Sequence, residues 1–330
     1  MTGVRVWFLN SDGIEEHQSQ ELPDLLKRSD GFTWVDVPSW DDQTEHLLTE
    51  TFGAHPMVIA ACRDRNHVPM SHRYARHAFV VLHSLVFGRP GHVHMLELDQ
   101  LVSSNYLVTL HGPLNPQVDP AESLVETEGV RRRIEAGRFH PANPSELSFA
   151  IVSAIARRQR TVIGHVAEKI PSLEARVMEG EFRAPEQLLE ELFLIRHELI
   201  TARTMAAQAH DVYARISSLA RTANSADLSY VSDLADQFDR VRSIADGESQ
   251  FLFGVIDLYQ TRVTTKMTVA MERLAVIAAV TLPVTAIASV YGMNVIVNSH
   301  THVVQLLLVL GVMVVISGLL LRWARRQGWW

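Results

Sequence analysis

Oxygen-bearing side chains recur at helical spacing in two places along the chain. Thr281, Thr285 and Ser289 stand four residues apart inside an uncharged stretch, which puts three hydroxyls on one helix face. Such a stripe fits either of two uses. It can line a polar path through apolar surroundings, or it can bond back to the i−4 carbonyls and grip a neighbouring helix. Asp233, Asp236 and Asp239 form the second group, carboxylates on one helical face of the kind that water solvates. Histidine is frequent, with 16 in all. His92 and His94 would share one face of a strand, and His300 and His302 are spaced alike; imidazole suits zinc, nickel or cobalt and not magnesium. No acid or cysteine completes either pair, so most of these histidines are read as surface or core residues. The single cysteine, Cys62, has no activating context, and the chain contains no P-loop glycine–lysine motif and no HExxH or paired-carboxylate motif. No enzyme is expected.

The hydroxyl stripe lies in the first of two long apolar segments. Residues 274–290 read LAVIAAVTLPVTAIASV, without a charge, and residues 303–321 read VVQLLLVLGVMVVISGLLL, with Gln305 as the one strongly polar side chain. Each can cross about 30 Å of hydrocarbon at 1.5 Å per residue, the first by extending a turn at either end. The link at 291–302 carries no Lys or Arg. Arg262, Lys266 and Arg273 precede the first segment, and Arg322, Arg325 and Arg326 follow the second. The positive-inside rule then places both termini in the cytosol and the short loop outside, in a multi-pass protein of the plasma (inner) membrane. Trp323, Trp329 and Trp330 are candidate interface anchors. Two helices cannot enclose a hydrophilic path alone, so transport through the lipid bilayer would require a homo-oligomer.

The rest reads as folded, water-facing protein. A net charge of −7 and the lack of a basic run exclude a nucleic-acid partner. One cysteine rules out an internal disulfide and fits a reducing compartment, and no signal peptide is expected. Alternating and apolar runs predict strands at 4–9, 32–37, 78–87, 92–98 and 106–111, with helices over 41–52 and 56–63. Residues 111–120 (HGPLNPQVDP) read as a connection. From Ser145, taken as an N-cap, the pattern turns helical over 145–178 and 185–219. Residues 230–290 then run with only Gly247, Gly254 and Pro283 to interrupt them; as one helix they would reach roughly 90 Å. The expected fold class is an α+β cytosolic domain, with a mixed sheet and long helices, followed by a long stalk helix and two transmembrane α-helices. The boundaries are 1–115 for the α/β domain, 145–228 for a helical region and 229–273 for the stalk. Residues 274–294 form the first span, 295–302 the external loop, 303–321 the second span and 322–330 a basic tail.

Directly after the first segment comes Tyr291-Gly292-Met293-Asn294. This YGMN, between two C-terminal spans, resembles the hallmark of the CorA metal-ion transporter family. The run MERLAVIAAVTLPVTAIASVYGMN is similar to that family's first span, including Leu274, Pro283 and Thr285. Tyr230-x-x-Asp233-x-x-Asp236, Asp257-Leu258-Tyr259, Trp34-Val35-Asp36, His55-Pro56 and the run from Asn105 to His111 match the family pattern as well. The resemblance implies a funnel-shaped homopentamer, with the first span lining one central pore and the second facing lipid. Gly292, Met293 and Asn294 would form the selectivity filter, whose carbonyl and amide oxygens bind a hydrated magnesium ion without stripping it. Thr285, Thr281 and Thr268 would line the pore with polar side chains, and Met271 and Leu274 would form an apolar gate that closes by dewetting. Asp233, with Asp236, would bind regulatory Mg2+ between subunits and hold them closed. The transported ion is then Mg2+, with Co2+ or Ni2+ as companions.

Three features depart from the pattern. The external loop at 295–302 has no Asp or Glu, so cations should be drawn less strongly to the mouth. Thr268 stands where members carry an asparagine one turn before the gate methionine. Ala60 and Ala61 replace an acidic pair after the His-Pro motif. Two further readings stay open: a ZntB-like Zn2+ transporter, possible with proton coupling, and a membrane-tethered sensor or scaffold that conducts nothing.

Overall fold

A computed structural model describes residues 3–179, 185–222, 228–292 and 303–326. The strands are β1 (Arg5–Asn10), β2 (Gly13–His17), β3 (Gly31–Val37), β4 (Met70–Arg73), β5 (Ala78–Phe87), β6 (Val93–Val102) and β7 (Tyr106–His111). The helices are α1 (Leu22–Leu25), α2 (Asp42–Glu50), α3 (Pro56–Arg63), α4 (Pro120–Ser123), α5 (Val125–Glu135), α6 (Pro144–Ala167), α7 (Ile170–Glu179), α8 (Pro185–Thr222), α9 (Leu228–Gly292) and α10 (Val303–Arg326). The chain divides into two compact units, Met1–Gly254 and Val255–Trp330.

In the first unit the strands make one seven-stranded sheet in the order β2-β1-β3-β7-β6-β5-β4. Every pairing is antiparallel except β3 with β7, which is parallel. A parallel neighbour needs a crossover, and here the crossover contains α2, α3 and the β4–β6 meander. One face of the sheet presents Val35, Val37, Phe79, Val81 and Val108 to Leu48, Phe52, Val58 and Cys62 of the α2–α3 region. On the other face α6 packs, with Ser148 Oγ donating to Gln100 Oε1 at 2.6 Å and Gln159 Nε2 donating to the His83 carbonyl at 2.8 Å. With both faces covered, β7 is buried along its whole length, which is why its sequence lacks polar alternation.

Helix starts follow from local chemistry. Asp41 caps α2 by accepting from the Thr44 amide at 2.7 Å. The His55-Pro56 pair opens α3: Pro56 occupies the first helical position, and His55 Nδ1 accepts from the Met57 amide at 3.2 Å. Helix α6 begins one residue before Ser145. Asn143 is its cap, accepting from the Glu146 amide at 2.8 Å, while Glu146 accepts in return from the Ala142 amide at 2.8 Å. The helical stretch expected over 145–178 breaks into α6 and α7, and strand β6 runs on to Val102 instead of ending at 98. Strands β2 and β4 and helices α1, α4 and α5 are not among the expected elements.

Helix α9 is continuous over 65 residues, through Gly247, Gly254 and Pro283. A Cβ built on either glycine meets nothing within 4 Å, so neither marks a close approach. Pro283 removes one i→i−4 bond, yet the helix continues on both sides of it. In the second unit, α10 and the remainder of α9 are each long and apolar enough to cross a membrane. Their large apolar side chains are exposed all round, among them Leu274, Ile277, Leu282, Val304, Leu308 and Val314, the pattern of helices whose solvent is lipid.

Candidate functional site

The face of α9 that could carry ions is set by helical geometry. At about 100° per residue, Met267, Met271, Thr281, Thr285 and Gly292 all fall within about 60° of Leu274. Met271 and Leu274 are 56% and 65% exposed, so no partner covers them among the described residues of the single chain. Thr268 is the outlier, about 120° round the helix from Leu274. Gly292 is the last described residue of α9; Met293, Asn294, His300 and His302 lie outside the described residues.

Each threonine hydroxyl is committed. Thr281 donates to the Ile277 carbonyl at 2.8 Å, Thr285 to the Thr281 carbonyl at 2.8 Å and Thr268 to the Thr264 carbonyl at 3.0 Å. Back-bonding and pore lining were the two uses open to this stripe, and the geometry makes them compatible. A hydroxyl whose proton is held by the i−4 carbonyl presents only lone pairs outward. Lone pairs are what the outward-pointing hydrogens of a hydrated cation require.

The acids of α9 divide by partner. Asp239 belongs to Arg242, whose Nε lies 3.1 Å away and which holds its carboxyl below the usual range. Asp233 accepts from Gln237 Nε2 at 2.8 Å and has Arg240 only at 3.9 Å. Asp236 is exposed, with no ion pair among the described residues. No group of three His, Cys, Asp or Glu side chains able to hold a metal occurs among the described residues of one chain.

His92 and His94 sit edge to face with centroids 4.6 Å apart. His94 is buried and its Nδ1 is 3.1 Å from Asn115 Nδ2; burial, with His92 and Arg65 nearby, lowers its affinity for a proton. The ring nitrogen is therefore occupied by the fold.

Two motifs of the sheet domain, Trp34-Val35-Asp36 and the run ending at His111, meet in one buried network. Thr109 donates its hydroxyl to Asp36 Oδ1 at 2.5 Å, His111 Nε2 lies 3.0 Å from the same oxygen, and Trp34 Nε1 donates to Thr109 Oγ1 at 3.0 Å. Arg5 closes the other side of the carboxylate. Burial alone would raise the Asp36 carboxyl, but His111 and Arg5 hold it below the usual carboxylate range. Trp34-Val35-Asp36 and the run ending at His111 thus fasten the parallel β3–β7 pair to β1.

A second buried pair was not singled out from the sequence. Glu97 and Asp99 point to one face of β6. The Asn66 backbone amide and side-chain amide both donate to Glu97, at 2.7 and 2.6 Å. Burial, with Glu97 beside it, pushes the Asp99 carboxyl well above the usual carboxylate range, and the buried Cys62 thiol is pushed up as well. Burial thus favours the protonated form of Asp99.

The family model described as "CorA-like Mg2+ transporter protein" matches residues 29–326. The YfjQ protein of Bacillus subtilis (strain 168) is 24% identical over 315 residues, covering 94% of this chain and 92% of its own. The cobalt/magnesium transport protein CorA of Thermotoga maritima is 23% identical over 301 residues, covering 88% and 82%. Among solved structures, the CorA magnesium transporter of Methanocaldococcus jannaschii superposes with a TM-score of 0.77 at 16% identity, over 100% of this chain and 99% of that one. With the α9 stripe, the two apolar helices and the mixed sheet in place, the chain belongs to the CorA-like family of divalent-metal transporters.

Proposed function

We propose that this chain is one subunit of a homopentameric channel that passes Mg2+ down its electrochemical gradient, with α9 lining the path and α10 facing lipid. The observation that carries the reading is the α9 stripe. An apolar pair, Met271 and Leu274, is followed on the same face by two rings of outward lone pairs, Thr281 and Thr285, and then by Gly292. Hydrated Mg2+ holds its water reluctantly, so acceptors for that water suit it better than direct ligands. Gly292, Met293 and Asn294 form the filter in this reading, and Met271 and Leu274 the gate that closes by dewetting. Thr268, turned away from the stripe, contributes least.

Asp233 and Asp236 are the acids assigned to regulatory Mg2+. Among the described residues of one chain no third ligand joins them, so in this reading a neighbouring subunit completes the site. Magnesium there favours the closed state only through a higher affinity for it. Both termini lie in the cytosol, as the basic flanks of the two apolar helices favour.

The test is reconstitution in liposomes with Mg2+ and Zn2+ influx measured side by side, with and without a pH gradient. Mg2+ influx driven by membrane potential alone is expected. Zn2+ influx that needs the pH gradient would replace the channel with a ZntB-like carrier, and no flux of either ion would leave a non-conducting sensor.

A further inference from the structure

A cavity of about 420 Å3 opens in the first unit between α5, α6 and the first part of α9. Its volume falls in the range of roughly 300–1,000 Å3 typical of small-molecule sites. Four arginines line it: Arg133 from α5, whose guanidinium lies 5.1 Å over the Phe139 ring, Arg157 and Arg160 from α6, and Arg240 from α9. One carboxylate lines it too, Glu146, and that group is engaged with the Ala142 amide at the start of α6.

The arginines of these three helices divide by direction. On α5, Arg131 is paired with Glu128 and Glu135; on α6, Arg158 is paired with Glu122 and Glu126; on α9, Arg242 is paired with Asp239. None of these three lines the cavity. Among the described residues, Arg133, Arg157 and Arg160 have no carboxylate partner, and Arg240 has only the 3.9 Å contact with Asp233. The chain carries 37 acids against 30 Lys and Arg, so acids are not scarce. Four arginines against one carboxylate leave the lining net positive, and an anion placed there offsets that charge.

The walls also offer rings. Phe149 of α6 and Tyr230 of α9 face each other at 5.4 Å between centroids, tilted by 43°, and both line the cavity. Guanidinium forks grip phosphate oxygens in pairs, and an aromatic pair gives a flat ring a surface to stack on. We propose that this cleft binds a nucleoside di- or triphosphate, its phosphates among Arg133, Arg157, Arg160 and Arg240 and its base against Phe149 and Tyr230. Such a ligand would bridge the α5–α6 pair to α9. The site stands on this geometry whether or not the chain conducts ions.

The test is ADP binding by isothermal titration to the purified full-length protein in detergent, with chelator present so that no divalent cation takes part. One saturable site per chain is expected, weakening with added salt. Pyrophosphate, which has the charge without the ring, should bind at least about fivefold more weakly than ADP. Arg157→Ala with Arg160→Ala should weaken ADP binding at least about tenfold, whereas Arg132→Ala, outside the cavity on α5, should leave it unchanged. If the double alanine variant fails to fold, Arg157→Lys with Arg160→Lys keeps the charges and removes the forks, and should still weaken binding. Absence of saturable ADP binding, or binding within twofold of wild type in the double variant, overturns the site. Pyrophosphate binding as tight as ADP overturns the nucleoside assignment.

Discussion

Thr285 donates its hydroxyl to the carbonyl of Thr281 at 2.8 Å, and Thr281 does the same to Ile277. This relay fixes the rotamers of both side chains and turns their oxygens into pure acceptors toward the stripe they share with Leu274. Thr281→Val with Thr285→Val keeps shape and removes the acceptors. Mg2+ influx should fall at least about tenfold, a change of about 1.4 kcal/mol, since a net hydrogen bond is worth about 1 kcal/mol and every subunit loses two. Thr268→Val, off the stripe, should change influx less than about twofold. Equal losses in the two variants would remove the assigned face.

Asp239 is held by Arg242, while Asp233 and Asp236 face outward. Asp233→Asn should therefore relax inhibition of influx by internal Mg2+, whereas Asp239→Asn should not. Titrating internal Mg2+ against influx separates them. Unaltered inhibition in Asp233→Asn would return that acid to the solvated face.

The buried Asp36 makes stability depend on pH in a defined direction. Its carboxyl lies below the value it has in the unfolded chain, which is about 3.9. Its contribution is therefore fully present above that value and is lost as pH falls through the lower, folded one. At neutral pH, Asp36→Asn leaves Arg5 with Glu128 as its remaining carboxylate and His111 with none, and should cost about 3 kcal/mol. Denaturant unfolding of the wild type and variant at pH 7 and pH 4 measures this; a cost within about 0.5 kcal/mol at pH 7 would contradict the network.

Asp99 has the opposite sign. Its folded carboxyl holds a proton well above the unfolded value, so the folded state binds more protons and stability declines as pH rises between the two. Asp99→Asn keeps the shape without the titration. Its melting temperature relative to wild type should rise from pH 5 to pH 8, and a relative fall would show Asp99 ionised in the fold.

Much of this architecture is written plainly in the chain. Strands β5 and β7 and helix α3 have the bounds their apolar runs and turn residues suggest, and α9 and α10 follow from length and apolarity. Strands β2 (GIEEH) and β4 (MSHR) escape notice because both are short, polar edge strands with little to bury. Helix α5 hides behind Gly129 and a dense run of charge. Glu97 and Asp99 alternate with apolar residues as solvent-facing positions do, and nothing local shows that α3 covers them. The threonine stripe was readable, but where each proton goes was not, because back-bonded and pore-facing hydroxyls share one spacing. The arginine cleft depends on which side of α5, α6 and α9 each cation takes.

The central claim is that one face of α9 lines the ion path. The native chain has a single cysteine, Cys62, which is buried, so a cysteine placed on α9 can be addressed alone. Influx of Mg2+ into liposomes should be measured through Thr285→Cys and Ile287→Cys, the latter about 140° round the helix from Leu274, before and after a membrane-impermeant charged thiosulfonate. Modification should block Thr285→Cys nearly completely and leave Ile287→Cys conducting. Block of Ile287→Cys with Thr285→Cys untouched would place the path on another face of the helix.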